Sequence, residues 1–147
     1  MARRRIRSDV VFLDSAYAIA LASVADEFHP EALALADELE ASATRLITTH
    51  AVLLEIGNAL AKLKFRHAAI ELLASLGSDP KVEVIPLSNE LFERALRFYS
   101  ARPDKEWGLT DCLSMIVMEG HHVTEVLTTD QHFQQAGFRA LLRESPE

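Results

Sequence analysis

A single cysteine, Cys112, stands among 147 residues, so no disulfide can form within the chain. That scarcity fits a reducing cytoplasm, where the protein is expected to reside. It also leaves too few thiolates for a structural zinc site, and the adjacent His121 and His122 lack the spacing of a ligand pair. No apolar run is long enough to span a bilayer, and no membrane association is expected. The opening MARRRIRSDVVFLD is basic, but its apolar run is short and ends in Asp14, so a signal peptide is not expected. Excess positive charge is missing too. The formal net charge is -7 at pH 7 with neutral histidines, which excludes a protein that holds nucleic acid by bulk charge. A nuclease with local basic patches remains open. Arg3, Arg4, Arg5 and Arg7 form one such patch, and Lys62, Lys64, Arg66 and His67 another; each also reads as solvated surface. No repeat, low-complexity segment or long linker interrupts the chain. One domain is expected over 1–147, with a basic arm at 1–8 and a tail at 143–147.

What the chain does have is alternation. Val10-Val11-Phe12-Leu13, Leu46-Ile47-Thr48, Val82-Glu83-Val84-Ile85 and Val126-Leu127-Thr128 are short, β-rich and apolar, and residues 138–142 form a candidate fifth run. Segments of helical period lie between them. One covers 30–39, with Pro30 in its first turn. Val52, Ile56, Ala59, Leu60 and Leu63 mark a second stripe; 66–76 forms a third, ended by Gly77. Ser88 can cap a fourth, with Leu91, Phe92, Ala95, Leu96 and Tyr99 on one face. TDCLSMIVMEG is apolar nearly all round, which predicts a deeply buried helix with Gly120 just past its end. A further short helix follows Asp130 and stops at Gly137. Strands alternating with helices imply crossover connections and a mostly parallel sheet. The expected architecture is a three-layer α/β/α sandwich.

Four acids then fall in one place. In an open parallel sheet, ligands bind beyond the carboxyl ends of the strands. Asp14 follows the first run directly and Asp130 follows the fourth. Glu55 sits beside the apolar stripe of the helix after the second run, so it should point toward the sheet. Asp111 opens the buried helix, with Thr110 as its expected cap. Each acid has a plainer role open to it, as a helix cap, a first-turn acid or a surface residue. Together they put four carboxylates at one rim with no lysine beside them in sequence. Such a cluster repels itself, and a divalent ion removes the repulsion. Oxygen ligands alone select hard ions, so Mg²⁺ or Mn²⁺ is expected.

The segments VVFLDS, AVLLEIGNAL, LTDCLSM and LTTDQHF, in this order and spacing, resemble the successive motifs of the PIN-domain nucleases. DKEWGLTDCLSMIVMEG followed by LTTDQHFQQAGF resembles in particular the VapC-like toxins. The resemblance runs from Val10 to about Leu142. It implies a PIN-like fold and a metal-dependent endoribonuclease, with the family's acids on Asp14, Glu55, Asp111 and Asp130 and its hydroxyl on Thr128. Asp14, Glu55 and Asp111 are then the core ligands, and Asp130 holds a second ion or a metal-bound water. Alternation along a strand would let Thr128 and Asp130 face the site together while Thr129 points away. The resemblance further implies an RNA substrate, an antitoxin protein whose tail brings an arginine to the acidic rim, and a homodimer. A groove between helices 52–63 and 66–76 is the expected seat for that tail.

Around the acids, Ser15 can bond a metal water or start a helix, and Asn58 can line the site or cap a polar edge. His132, just after Asp130, can touch substrate, though it reads more readily as a surface helix residue. Rival chemistries lack their residues. A haloacid-dehalogenase-like phosphatase needs a second Asp two positions after the first, where this chain has Ala16. A receiver domain needs an Asp after its middle strand, and VEVIPLS has none. The remaining alternatives are a processing or decay nuclease without an antitoxin, and a non-catalytic binding module. The latter should have lost an acid.

Overall fold

The computed structural model describes residues 4–144. Arg3 of the basic arm and the end of the tail, 145–147, lie outside the described residues. The strands are β1 (Val10–Leu13), β2 (Arg45–Thr49), β3 (Val82–Ile85), β4 (Glu125–Leu127) and β5 (Arg139–Ala140). All pair in parallel, in the order β3-β2-β1-β4-β5. The helices are α1 (Ser15–Ala22), α2 (His29–Ala41), α3 (His50–Ala59), α4 (Leu63–Ser78), α5 (Asn89–Ala101), α6 (Leu109–Gly120) and α7 (Gln131–Gln135). This is the expected α/β sandwich. Right-handed crossovers send α1 to α4 to one face of the sheet and α5 to α7 to the other. The helix contacts agree: α1 packs on α2, α3 and α4, whereas α6 packs on α5 and α7.

β1 and β4 sit at the centre. Phe12 lies beside Val126, and Leu13 beside Leu127, and all four are fully buried or nearly so. Strands covered on both faces need no polar alternation, which is why they read as continuous apolar runs. Helices from β1 and β4 leave toward opposite faces, so a crevice opens between the two carboxyl ends. That is where a doubly wound sheet places its ligand.

Several boundaries differ from the sequence reading. The helix α1 went unread, because SAYAIALA is apolar without a 3.6-residue period. Tyr17, Ala18 and Ala20 are all buried where it is wedged among three other helices. The stripe through Leu63 breaks at Leu60, the C-cap of α3; Leu63 begins α4 and is 94% exposed. Gly120 lies within α6, and the left-handed residue beyond it is His122, at φ 56°. Gly137, at φ +94°, does end α7 in the conformation that favours glycine. The fifth run supplies two strand residues, then a single 3₁₀ turn, Leu141–Arg143. No described helix is long and apolar enough to cross a membrane.

Candidate functional site

Asp14 occupies the N-cap position of α1 yet makes no capping hydrogen bond. Its backbone continues the ladder instead, donating to the Leu127 carbonyl at 3.2 Å. Next to it, the Thr48 hydroxyl donates to the Leu13 carbonyl at 2.8 Å. Three strand ends are thereby tied together, and the Asp14 carboxyl is held in the crevice, only 4% exposed. Thr128 donates to Asp14 Oδ2 at 2.7 Å. Thr128 is itself fully buried, so it positions Asp14 from behind. The same Thr128 oxygen accepts the Asp130 N–H at 3.1 Å. Thr128 lies past the end of β4, so this local turn, and not strand alternation, relates the two residues.

Glu55 lies in the second turn of α3, a helix capped by Thr49 through the Val52 N–H. It is half-buried, and Ser15 donates to its Oε1 at 3.1 Å. Ser15 starts α1, one of the two roles open to it, and its hydroxyl bonds an acid of the site. Asn58 is exposed.

Asp111 accepts the Gly108 N–H at 3.1 Å, which makes Gly108, not Thr110, the N-cap of α6. Trp107 locks this corner. Its indole N–H donates to Gln135 Oε1 at 3.0 Å, tying the start of α6 to α7. Its ring packs on Phe98 and carries Arg102 over one face.

Asp130 does cap α7, accepting the His132 N–H at 2.8 Å. The plain reading of that acid is therefore correct as far as it goes. Its carboxylate also lies 3.2 Å from His132 Nδ1, and that same nitrogen is 3.2 Å from Asp111 Oδ2. His132 is half-buried between two acids, which corrects the expectation of a surface residue. Its position two residues after a capping acid was the available signal, because a short capped turn folds that side chain back toward the cap.

The four acids feel one another. Burial raises the Asp14 carboxyl from 3.8 to about 7; the Thr128 hydroxyl pulls it down, while the charges of Asp111 and Glu55 push it further up. Burial likewise raises Glu55, opposed by hydrogen bonds from Ser15 and Thr110 and reinforced by Asp111 and Asp130. Asp111 is raised by burial first, held back by the Gly108 N–H, and pushed up by Asp130. Among the described residues, the only basic side chain within ion-pair distance of any of the four is the His132 ring. Oxygen donors in this density, three of them with raised proton affinity and none bridged to a lysine or arginine among the described residues, suit a hard divalent ion.

The lysines and arginine of the mid-chain patch lie exposed around the α3–α4 junction, where Arg66 donates to the Ala61 carbonyl. A cleft of about 510 Å³ lies elsewhere, between α1, α2, α4 and the sheet. Tyr17, Leu39, Leu46, Leu72 and Leu76 contribute to its wall.

A parallel α/β sandwich with an acidic crevice at the carboxyl edge of its central strands defines the class. Residues 11–139 match the model of the PIN domain, and the chain belongs to that family. Its fold is that of VapC20 from Mycobacterium tuberculosis, whose crystal structure is described as that of a sarcin-ricin loop cleaving toxin. The two share 23% identity with a TM-score of 0.77, over 87% of this chain and 95% of that one. No curated protein matches the sequence.

Proposed function

We propose that the protein is a metal-dependent endoribonuclease that acts as the toxin of a toxin–antitoxin pair. The observation that carries the reading is the meeting of Asp14, Glu55, Asp111 and Asp130 from four separate elements, with no lysine or arginine bridged to them among the described residues. Membership of the PIN domain family and the toxin described for the similar fold support it.

In this reading Asp14, Glu55 and Asp111 hold a Mg²⁺ or Mn²⁺ ion, and Asp130 extends the site. The bound ion supplies charge against the transition state of phosphodiester hydrolysis and makes water a better nucleophile near neutral pH. The chain's own residues do the positioning. Thr128 fixes the rotamer of Asp14, Ser15 steadies Glu55, and Gly108 steadies Asp111. Lys62, Lys64 and Arg66, exposed around the α3–α4 junction, would meet RNA phosphates.

An antitoxin is the partner that fits. An arginine from it can pair with the acidic rim through charge-assisted hydrogen bonds and compete with the ion. Its apolar residues would seat in the expected groove between α3 and α4, and the apolar cleft between α1, α2 and α4 is a second surface they could use. A homodimer is part of the same reading. It is supported by exposed Leu54, Leu63 and Ile70 on α3 and α4, and by Phe92, Leu96 and Tyr99 on one face of α5. The site of action is the cytoplasm.

The test is RNA cleavage by purified protein with Mg²⁺ or Mn²⁺ and with excess EDTA. Loss on chelation and recovery on adding back the ion are expected; undiminished cleavage in EDTA rejects the reading. A pull-down from the native host that yields no inhibitory protein removes the antitoxin and leaves a free-standing processing nuclease. Light scattering that gives a strict monomer at micromolar concentration removes the dimer.

A further inference from the structure

Among the described residues, Arg143 is the one arginine whose side chain bonds the turn that carries the site acids. Its Nη1 donates to the Thr129 carbonyl at 2.9 Å. Thr129 stands between Thr128, which positions Asp14, and Asp130. The attachment is doubled, because the Leu142 N–H donates to the Thr128 carbonyl at 3.3 Å. Leu141 and Leu142 are buried, so the 3₁₀ turn that ends at Arg143 is anchored, while Arg143 itself is exposed. Other arginines are engaged elsewhere: Arg4 with Glu38, Arg66 with the Ala61 carbonyl, Arg102 with Asp104, and Arg139 with Glu125 and Glu144. Among the described residues Arg143 forms no ion pair, with the four site acids or with any other. Most of its N–H donors remain for a further acceptor.

We propose that Arg143 binds an RNA phosphate flanking the scissile bond, at the β4–β5 side of the crevice. The inference rests on the endoribonuclease reading given above. Strand order sets the side. β1 lies between β2 and β4; α3 leaves from β2, whereas the 3₁₀ turn follows β5. Glu55 on α3 and Arg143 thus belong to opposite flanks of Asp14. The chain carries a net charge of -7, so each phosphate beside the reacting one needs a local cation to hold it. Arg143 is near enough to supply one. Its guanidinium is a single hydrogen bond from Thr129, and the chain advances only about 3.8 Å from the Thr129 Cα to the Asp130 Cα. It stays outside ion-pair distance of every site acid, so it flanks the ion position and does not compete for it. A planar guanidinium fork matches paired phosphate oxygens. The tether to Thr129 orders that fork beforehand, which reduces the entropy lost on binding.

A short mixed-sequence single-stranded RNA is the probe. Its binding to full-length Asp14→Asn protein in Mg²⁺ is measured across a salt series, with and without Arg143→Ala added. The added change should weaken binding roughly tenfold, the scale of one hydrogen bond to a charged group. It should also make the slope of log affinity against log salt shallower by about 0.7, the counterion release expected for one single-strand phosphate. Arg143→Lys should restore most of the slope. Steady-state cleavage in the otherwise natural protein gives a second readout. There Arg143→Ala should raise KM roughly tenfold and leave kcat within about twofold, the pattern of lost uniform binding. An unchanged salt slope overturns the proposal, because a residue that only braces the Thr129 carbonyl releases no counterion. A fall in kcat at unchanged KM overturns it as well, since Arg143 then acts only through the turn to Asp130. Either result leaves the nuclease reading standing. Natural protein that neither binds nor cleaves RNA with Mg²⁺ or Mn²⁺ overturns that reading and this inference together.

Discussion

Two buried acids lie at opposite ends of neighbouring central strands, and they are treated in opposite ways. Glu125 opens β4 at the amino edge of the sheet and is 2% exposed. It accepts the Arg7 N–H at 3.0 Å and the Ser8 N–H at 2.6 Å, and it pairs with the Arg139 guanidinium. Arg139 in turn holds Glu144. Asp14 ends β1 at the carboxyl edge, equally buried, and receives one hydroxyl hydrogen bond while other acids crowd it. The fold thus supplies a full set of partners to one carboxylate and withholds them from the other. Glu125 fastens the N-terminal arm and the last strand to the sheet, with help from Glu38, which accepts the Ile6 N–H at 2.9 Å. Asp14 is kept in a state that an external cation relieves. Burial of a charge alone says nothing of function; what decides is whether the protein itself has answered it.

Neutralising the unanswered acids should break the comparison most completely. Asp14→Asn and Asp111→Asn remove ligand charge with little change in volume. Cleavage of RNA should fall by roughly a thousandfold or more, about the scale on which losing a transition-state electrostatic contact is felt. The metal-free variants should unfold no more easily than the natural protein, because they relieve repulsion. Denaturant titration alongside the cleavage assay checks both halves, and a large loss of stability would return Asp14 to a structural role.

Removing the answered acid should do the reverse. Glu125→Ala leaves the half-buried Arg139 guanidinium with Glu144 alone and takes the acceptor from two backbone N–H groups. The cost should be about 3–5 kcal/mol, as for other broken buried pairs. Metal affinity, measured on protein that remains folded, should stay within a few-fold of the original.

Acidity sharpens the contrast further. Folding raises the Asp14 carboxyl from 3.8 to about 7, so the folded state binds that proton more tightly than the unfolded chain does. The associated stability is fully present below about pH 4 and is lost as pH rises through about 7. Taken alone, such a shift amounts to at most about 4 kcal/mol, and Glu55 and Asp111 share part of it. The metal-free protein should therefore gain stability relative to Asp14→Asn as pH falls from 8 to 5. Divalent ion binding should weaken over the same range, since proton and ion compete. Parallel thermal melts that coincide at all pH values would show that Asp14 is not strained.

The smallest expected effect comes from the brace between α6 and α7. Gln135→Ala deletes the acceptor of the Trp107 indole N–H and should cost about 1 kcal/mol of stability. It should also weaken Mn²⁺ binding several-fold by loosening Asp111 at the start of α6. Unchanged affinity would mean that packing of the Trp107 ring alone holds it.

Much of this was legible in the residues. Strands buried on both faces must be apolar throughout, so four of the five strands stood out, and Asp14 and Asp130 follow close on two of them. The parts that escaped had no local signature. The helix α1 is apolar all round because helices surround it, so it lacks the periodicity that marks an amphipathic one. Thr110 looked like a cap by its residue type, yet the backbone turned one step earlier, at Gly108. The role of Thr128 was placed on a strand that had already ended. Leu63 continued a helical stripe in sequence, but the chain broke at Leu60 and left it in solvent.

Pattern and residue chemistry by themselves determined the α/β alternation, the parallel sheet and the arrival of Asp14 and Asp130 at strand ends, because periodicity and burial are local consequences of which side chains water rejects. Only the tertiary structure decided which buried acid would be answered. Arg139 reaches Glu125 across paired strands, and His132 reaches Asp111 across two helices. Such pairings depend on distances between elements remote in sequence, and no local pattern carries them.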